Sequence, residues 1–172
     1  EIVGRKVVAA RFKMLLEAYQ KRDRVGMIAF RKKKAEVLLP ITRSVEFAQK
    51  KLADLPTGGK TPLASGLRKA EDVLDMLYRQ DPTQEPVVIL ITDGRATAGS
   101  NPDSDPVADA LREGARLRRR NLPIAVIDTE SGYIRLGLAE KLAEAIEADI
   151  FEIAPVEPYT EADLKWTNPL AR

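Results

Sequence analysis

Val87-Val88-Ile89-Leu90-Ile91-Thr92 is an unbroken run of apolar and β-branched residues that stops at Asp93-Gly94. A run without alternation predicts a strand buried on both faces, as in the middle of a parallel sheet. In open α/β sheets the ligand site lies just beyond the carboxyl ends of the strands. Asp93 therefore stands where binding or chemistry is expected, although an aspartate before glycine also suits a plain turn.

The rest of the chain alternates around this strand. Residues 3–22 carry Val8, Phe12, Leu15 and Tyr19 at helical spacing, with basic residues between them. Val25–Phe30 and Ala35–Pro40 read as strands joined by a short lysine-rich link, hence a hairpin with one antiparallel edge strand. Ser44 is a candidate N-cap for a helix through Val45, Ala48, Leu52 and Leu55. Pro62 suits the first position of a helix carrying Leu63, Leu67, Ala70, Leu74 and Leu77. Val107, Ala110, Leu111 and Leu117 mark another helix, Leu122–Asp128 a buried strand, Leu138–Ile146 a further helix and Ile150–Ile153 a last strand. Strands alternating with helices predict a doubly wound α/β fold with a mostly parallel sheet. A length of 172 residues suits one domain, 1–172, with 155–172 as a C-terminal tail.

Composition removes several functions. With Cys 0 and His 0 there are no disulfides, thiolate or imidazole metal sites, or Ser-His-Asp triads. This also weighs against a hydrolase built on Asp93. Lys+Arg 28 against Asp+Glu 26 leaves net charge +2, too balanced to argue for nucleic acid. The basic runs Arg31–Lys34 and Arg116–Arg120 read as a protected hairpin tip and a helix C-terminus, leaving open a surface for an acidic protein partner. No segment reaches the ~20 apolar residues of a membrane span. Gly59-Lys60-Thr61 resembles the end of a phosphate-binding loop, but Asp54 stands where that motif needs glycine. Thr61 and Asp93 remain as hard-oxygen donors suited to Mg²⁺, which needs further ligands and waters to complete six-fold coordination.

Asp23–Arg31, Ala35–Pro40, Leu55–Ala64 (Leu-Pro-Thr-Gly-Gly-Lys-Thr-Pro-Leu-Ala) and Leu90–Thr97 together resemble the von Willebrand factor A (integrin I-like) domain of magnesium chelatase D subunits. The resemblance implies that Thr61 is a direct Mg²⁺ ligand and that Asp93 holds the ion through water. The family's Asp-x-Ser-x-Ser loop is absent, because Glu1–Arg5 leads straight into what resembles the first helix. The first central strand is therefore expected to lie outside the recorded chain, between Val25–Phe30 and Val87–Thr92. The chain itself, starting at Glu1, reads as a fragment.

The resemblance further implies a non-catalytic, metal-dependent interaction domain. It would belong to a cytoplasmic hetero-oligomer (stromal in a plant or alga) with an AAA+ ATPase subunit and a large porphyrin-binding subunit. That complex inserts Mg²⁺ into protoporphyrin IX at the expense of ATP. A cobaltochelatase-type module, or one that binds partners without a metal, is the alternative.

Overall fold

A computed structural model describes residues 23–32, 34–44, 47, 48, 50, 51, 60–101, 103–130 and 137–152. The expected first helix and the C-terminal tail lie outside these residues. Strands β1 (Val25–Arg31) and β2 (Lys34–Thr42) form an antiparallel hairpin. Helix α1 (Leu63–Gln80), strand β3 (Val88–Thr92), helix α2 (Pro106–Arg118), strand β4 (Ile124–Asp128), helix α3 (Leu138–Ile146) and strand β5 (Asp149–Glu152) follow. β3, β4 and β5 pair in that order, all parallel. The fold is doubly wound α/β with one antiparallel pair, as the alternating pattern predicts.

Two local features follow from backbone chemistry. Pro40 sits inside β2 rather than at its end, where Val25 faces Thr42 and Met27 faces Leu39, so the ladder shifts register around it. A proline lacks the N–H a regular ladder needs, and a bulge on an edge strand accommodates it. The Ser44 cap holds: its hydroxyl accepts a hydrogen bond from Phe47 N at 3.2 Å. Val45, Leu52 and Leu55 lie outside the described residues.

The core joins one face of the parallel sheet to three helices. Leu90 and Val126 pack with Leu63, Leu67 and Leu74 of α1, Leu117 of α2, and Leu142 and Ile146 of α3. α1 links the hairpin to this core, because Gly66 lies so close to Phe30 that an added Cβ would fall 2.7 Å from its ring. The burial of β3 differs from expectation. Leu90 and Thr92 are buried, but Val87 and Ile89 are exposed. The three helices cover the Leu90 face, and no described helix covers the other.

β1 and β3 belong to separate sheets among the described residues. Direct pairing between them would have excluded a strand between the two.

α2 inverts the usual rule. Its apolar Val107 and Leu111 are exposed, while Asp109 and Glu113 are 3% and 1% exposed. Both carboxylates are satisfied where they sit. Asp109 Oδ2 accepts from Ser104 Oγ at 2.6 Å and Ser100 N at 2.7 Å, and Oδ1 accepts from Arg112. Glu113 accepts from Arg68 at 2.7 Å and Arg116 at 2.9 Å. Burial alone would raise the Glu113 pKa, but Arg68 and then Arg116 hold it below the usual value.

The Ser104 hydroxyl, followed by Ser100 N, holds the Asp109 carboxyl well below the usual carboxylate range. A depressed folded pKa contributes stability above the unfolded value and loses it as pH falls toward the folded one. Ser104→Ala is therefore expected to lower stability at neutral pH, with the gap to the parent chain narrowing below about pH 4. Urea unfolding at a series of pH values measures this, and a gap that widened on acidification would contradict it.

Candidate functional site

β3 ends in a tightly bonded turn. Thr92 Oγ1 accepts a hydrogen bond from Gly94 N at 3.1 Å, and Thr92 O accepts one from Thr129 N at 3.0 Å. Gly94 takes φ +74°, and a Cβ there would lie 2.3 Å from Ala139 N and from Leu138 C. The turn after Asp93 thus packs directly on the start of α3. Asp93 itself is about a third exposed; its Oδ1 accepts from Arg95 N at 3.0 Å, and Oδ2 lies 3.6 Å from Arg95 Nε.

Thr61 stands two residues before α1 and is half-buried. Its N donates to Thr97 Oγ1 at 2.7 Å, and its carbonyl accepts from Thr97 N at 3.1 Å. Thr97 lies four residues beyond Asp93, so one residue ties the two loops together. The hairpin tip joins the same end of the molecule, since Lys32 N donates to Lys60 O at 2.7 Å. Thr97 was not singled out from the sequence; its role comes from a bond spanning 36 residues, for which no local pattern exists.

The donor set suits the expected ion. A hydroxyl and a carboxylate are the hard-oxygen groups Mg²⁺ prefers. Both backbone groups of Thr61 are engaged, and its hydroxyl has no hydrogen-bond partner among the described residues. Arg95 is the competing feature, because its guanidinium stands as a counter-ion to Asp93.

A second group of carboxylates adjoins this end of the sheet. Asp128 closes β4 opposite Thr92, and its Oδ1 accepts from Glu130 N at 2.7 Å. Oxygens of Asp128, Glu130 and Glu140 all lie within 4.8 Å of one another. Sequence reading placed Asp128 at a strand end but not beside Glu140, which approaches only through the packing of α3. Glu130 Oε2 also accepts from Gly137 N at 3.2 Å, which ties Glu130 to the N-cap residue of α3.

A parallel sheet with the Thr61 and Asp93 loops tied together beyond β3 defines the class: a doubly wound α/β domain. The chain belongs to the von Willebrand factor type A domain family, whose model matches residues 5–95. A flavodoxin family model matches the shorter stretch 125–172. An uncharacterized protein of Methanocaldococcus jannaschii is 39% identical over 141 residues, 81% of this chain and 80% of that protein. The magnesium-chelatase 60 kDa subunit of Cereibacter sphaeroides is 45% identical over 119 residues, and the 67 kDa subunit of Heliobacterium mobile 37% identical over 144. The chain covers 67% and 80% of itself in those two matches but spans 21% and 22% of the subunits' lengths. Among solved structures, the SpRpn10 von Willebrand A domain aligns with TM-score 0.59 over 86% of this chain and 78% of that one, at 16% identity. BatB from Bacteroides thetaiotaomicron aligns with TM-score 0.60 over 92% and 83%, at 15% identity. Both show a shared fold.

Proposed function

We propose that the chain is the metal-dependent protein-interaction domain of a magnesium chelatase D-type subunit. The observation that carries this reading is the joining of the Thr61 and Asp93 loops through Thr97, with the Thr61 hydroxyl left without a partner among the described residues. Likeness to two named chelatase subunits supplies the biological setting. Thr61 would bind Mg²⁺ directly and Asp93 through water, with the remaining positions filled by residues outside the described ones, by water and by a partner's carboxylate. The bound ion supplies a fixed positive charge with an exchangeable position; the domain's own residues orient it and carry out no chemistry. The complex is cytoplasmic in this reading, or stromal in a plant or alga; no described helix is long and apolar enough to cross a membrane.

In this reading the partners are an AAA+ ATPase subunit and a large porphyrin-binding subunit, and the assembly inserts Mg²⁺ into protoporphyrin IX. Co-purification of the full-length protein with the ATPase subunit, in Mg²⁺ and in EDTA, tests it. Association that needs Mg²⁺ and is lost in Thr61→Ala and Asp93→Ala supports the proposal. Association indifferent to chelator and to both variants favours the metal-independent alternative.

A further inference from the structure

A shallow groove runs between the start of β2 and α1, lined by Lys34, Arg68 and Lys69 over a floor of Ala35 and Ser65. Ala35 N donates to Ser65 Oγ at 3.1 Å, which fixes the hairpin against the helix. Arg68 is held by Glu113 at 2.7 Å, yet half of its side chain is exposed, and a guanidinium has more donors than that one bond uses. Lys34 has no ion-pair partner among the described residues. The one carboxylate on the wall, Asp72, is engaged by Lys69 at 2.9 Å. The groove lining thus carries three cations and one acid, with Glu113 as a second acid that positions Arg68, and Lys34 as the cation without an ion-pair partner among the described residues.

Its location gives it a role. α1 begins two residues after Thr61, and Arg68 lies five residues beyond its first, about 7.5 Å along the helix axis at ~1.5 Å per residue, so that with the two non-helical residues the path is on the order of 10 Å. An extended peptide covers that distance in about three residues. We propose that the groove is a second contact for the same partner: an acidic protein segment runs from the Thr61–Asp93 site along α1, and a glutamate or aspartate about three residues from its metal-binding carboxylate meets Lys34 and Arg68. This rests on the metal-dependent reading above and adds what the partner must carry. A nucleic acid fits less well, because no aromatic residue lines the groove for base stacking and the chain's net charge is only +2.

Fluorescence anisotropy of the full chain with a labelled glutamate-rich peptide at low salt tests the assignment. Lys34→Glu combined with Lys69→Glu is expected to weaken binding about tenfold in both Mg²⁺ and EDTA, since several weak surface pairs reverse together. Lys34→Gln, which leaves every described ion pair intact, should weaken it about two- to threefold. Asp93→Ala should weaken it only in Mg²⁺. Unchanged affinity in the Lys34→Glu, Lys69→Glu variant overturns the groove, even where Asp93→Ala still acts. Conversely, a full groove effect with no Mg²⁺ dependence retains the groove and removes the metal reading beneath it. Displacement of the peptide by a single-stranded oligonucleotide at lower concentration than by unlabelled peptide also overturns the acidic-protein assignment.

Discussion

Gly94→Ala is expected to lower the stability of the domain by about 2–5 kcal/mol, the sum of a left-handed residue's ~1–2 and an overpacked contact's ~1–3. The atoms it would strike are backbone: Ala139 N and Leu138 C at 2.3 Å, with Leu138 Cβ at 2.7 Å. No rotamer change relieves such an overlap, so α3 must move away from β3 or the Asp93 turn must deform. Either outcome removes a large part of the ~5–15 kcal/mol that holds an ordinary domain together. A melting temperature about 10 °C lower is expected at this size, at ~2–4 °C per kcal/mol. A variant melting within about 2 °C of the parent chain would mean that α3 does not pack on the site as described.

The second large effect comes from the buried carboxylate between α1 and α2. Removing both Arg68 and Arg116 by substitution with methionine strands Glu113, 1% exposed, without a counter-charge. The expected cost is about 3–5 kcal/mol by urea unfolding, because the uncompensated charge is on the buried side of the pair. Glu113→Gln alone should cost less, about 1–2 kcal/mol, since the two half-exposed guanidinium groups regain water. Adding Glu113→Leu to the double methionine variant should recover most of the loss, as replacing a whole buried ionic cluster with apolar groups often does. Additive losses across the three substitutions would show that the groups do not act as a unit.

This pair of carboxylates also shows where sequence reading stops. Helical spacing located α2, and it named Ala110 and Leu117, both buried. It also named Val107 and Leu111, which face out, because hydrophobicity alone could not tell that Asp109 and Glu113 have dedicated partners. Those partners, Ser100 and Ser104 in a preceding loop and Arg68 on another helix, become neighbours only in three dimensions. The leucines of α1 and the strand β4 were legible because local pattern and burial agree there. At β3 the unbroken apolar run marked the strand correctly but overstated its burial, since Val87 and Ile89 face the side that no described helix covers.

The candidate site was legible to a similar depth. Asp93 stood out at the end of a strand and Thr61 as a hydroxyl on the loop before a helix, and the resemblance to the family pattern then assigned each its ligand role. Thr97, which binds the two loops together, and Arg95, which competes for Asp93, emerged only from the hydrogen bonds and charges of the folded chain. So did the closeness of Asp128, Glu130 and Glu140 at the neighbouring strand end.

The central claim is that Thr61 and Asp93 together hold a divalent ion. Calorimetric titration of the full-length protein with Mg²⁺ addresses it most directly. The account predicts saturable binding that is abolished by Thr61→Ala and weakened at least about tenfold by Asp93→Ala, the loss of one charged interaction in a small donor set. Undiminished Mg²⁺ binding in both variants would contradict it.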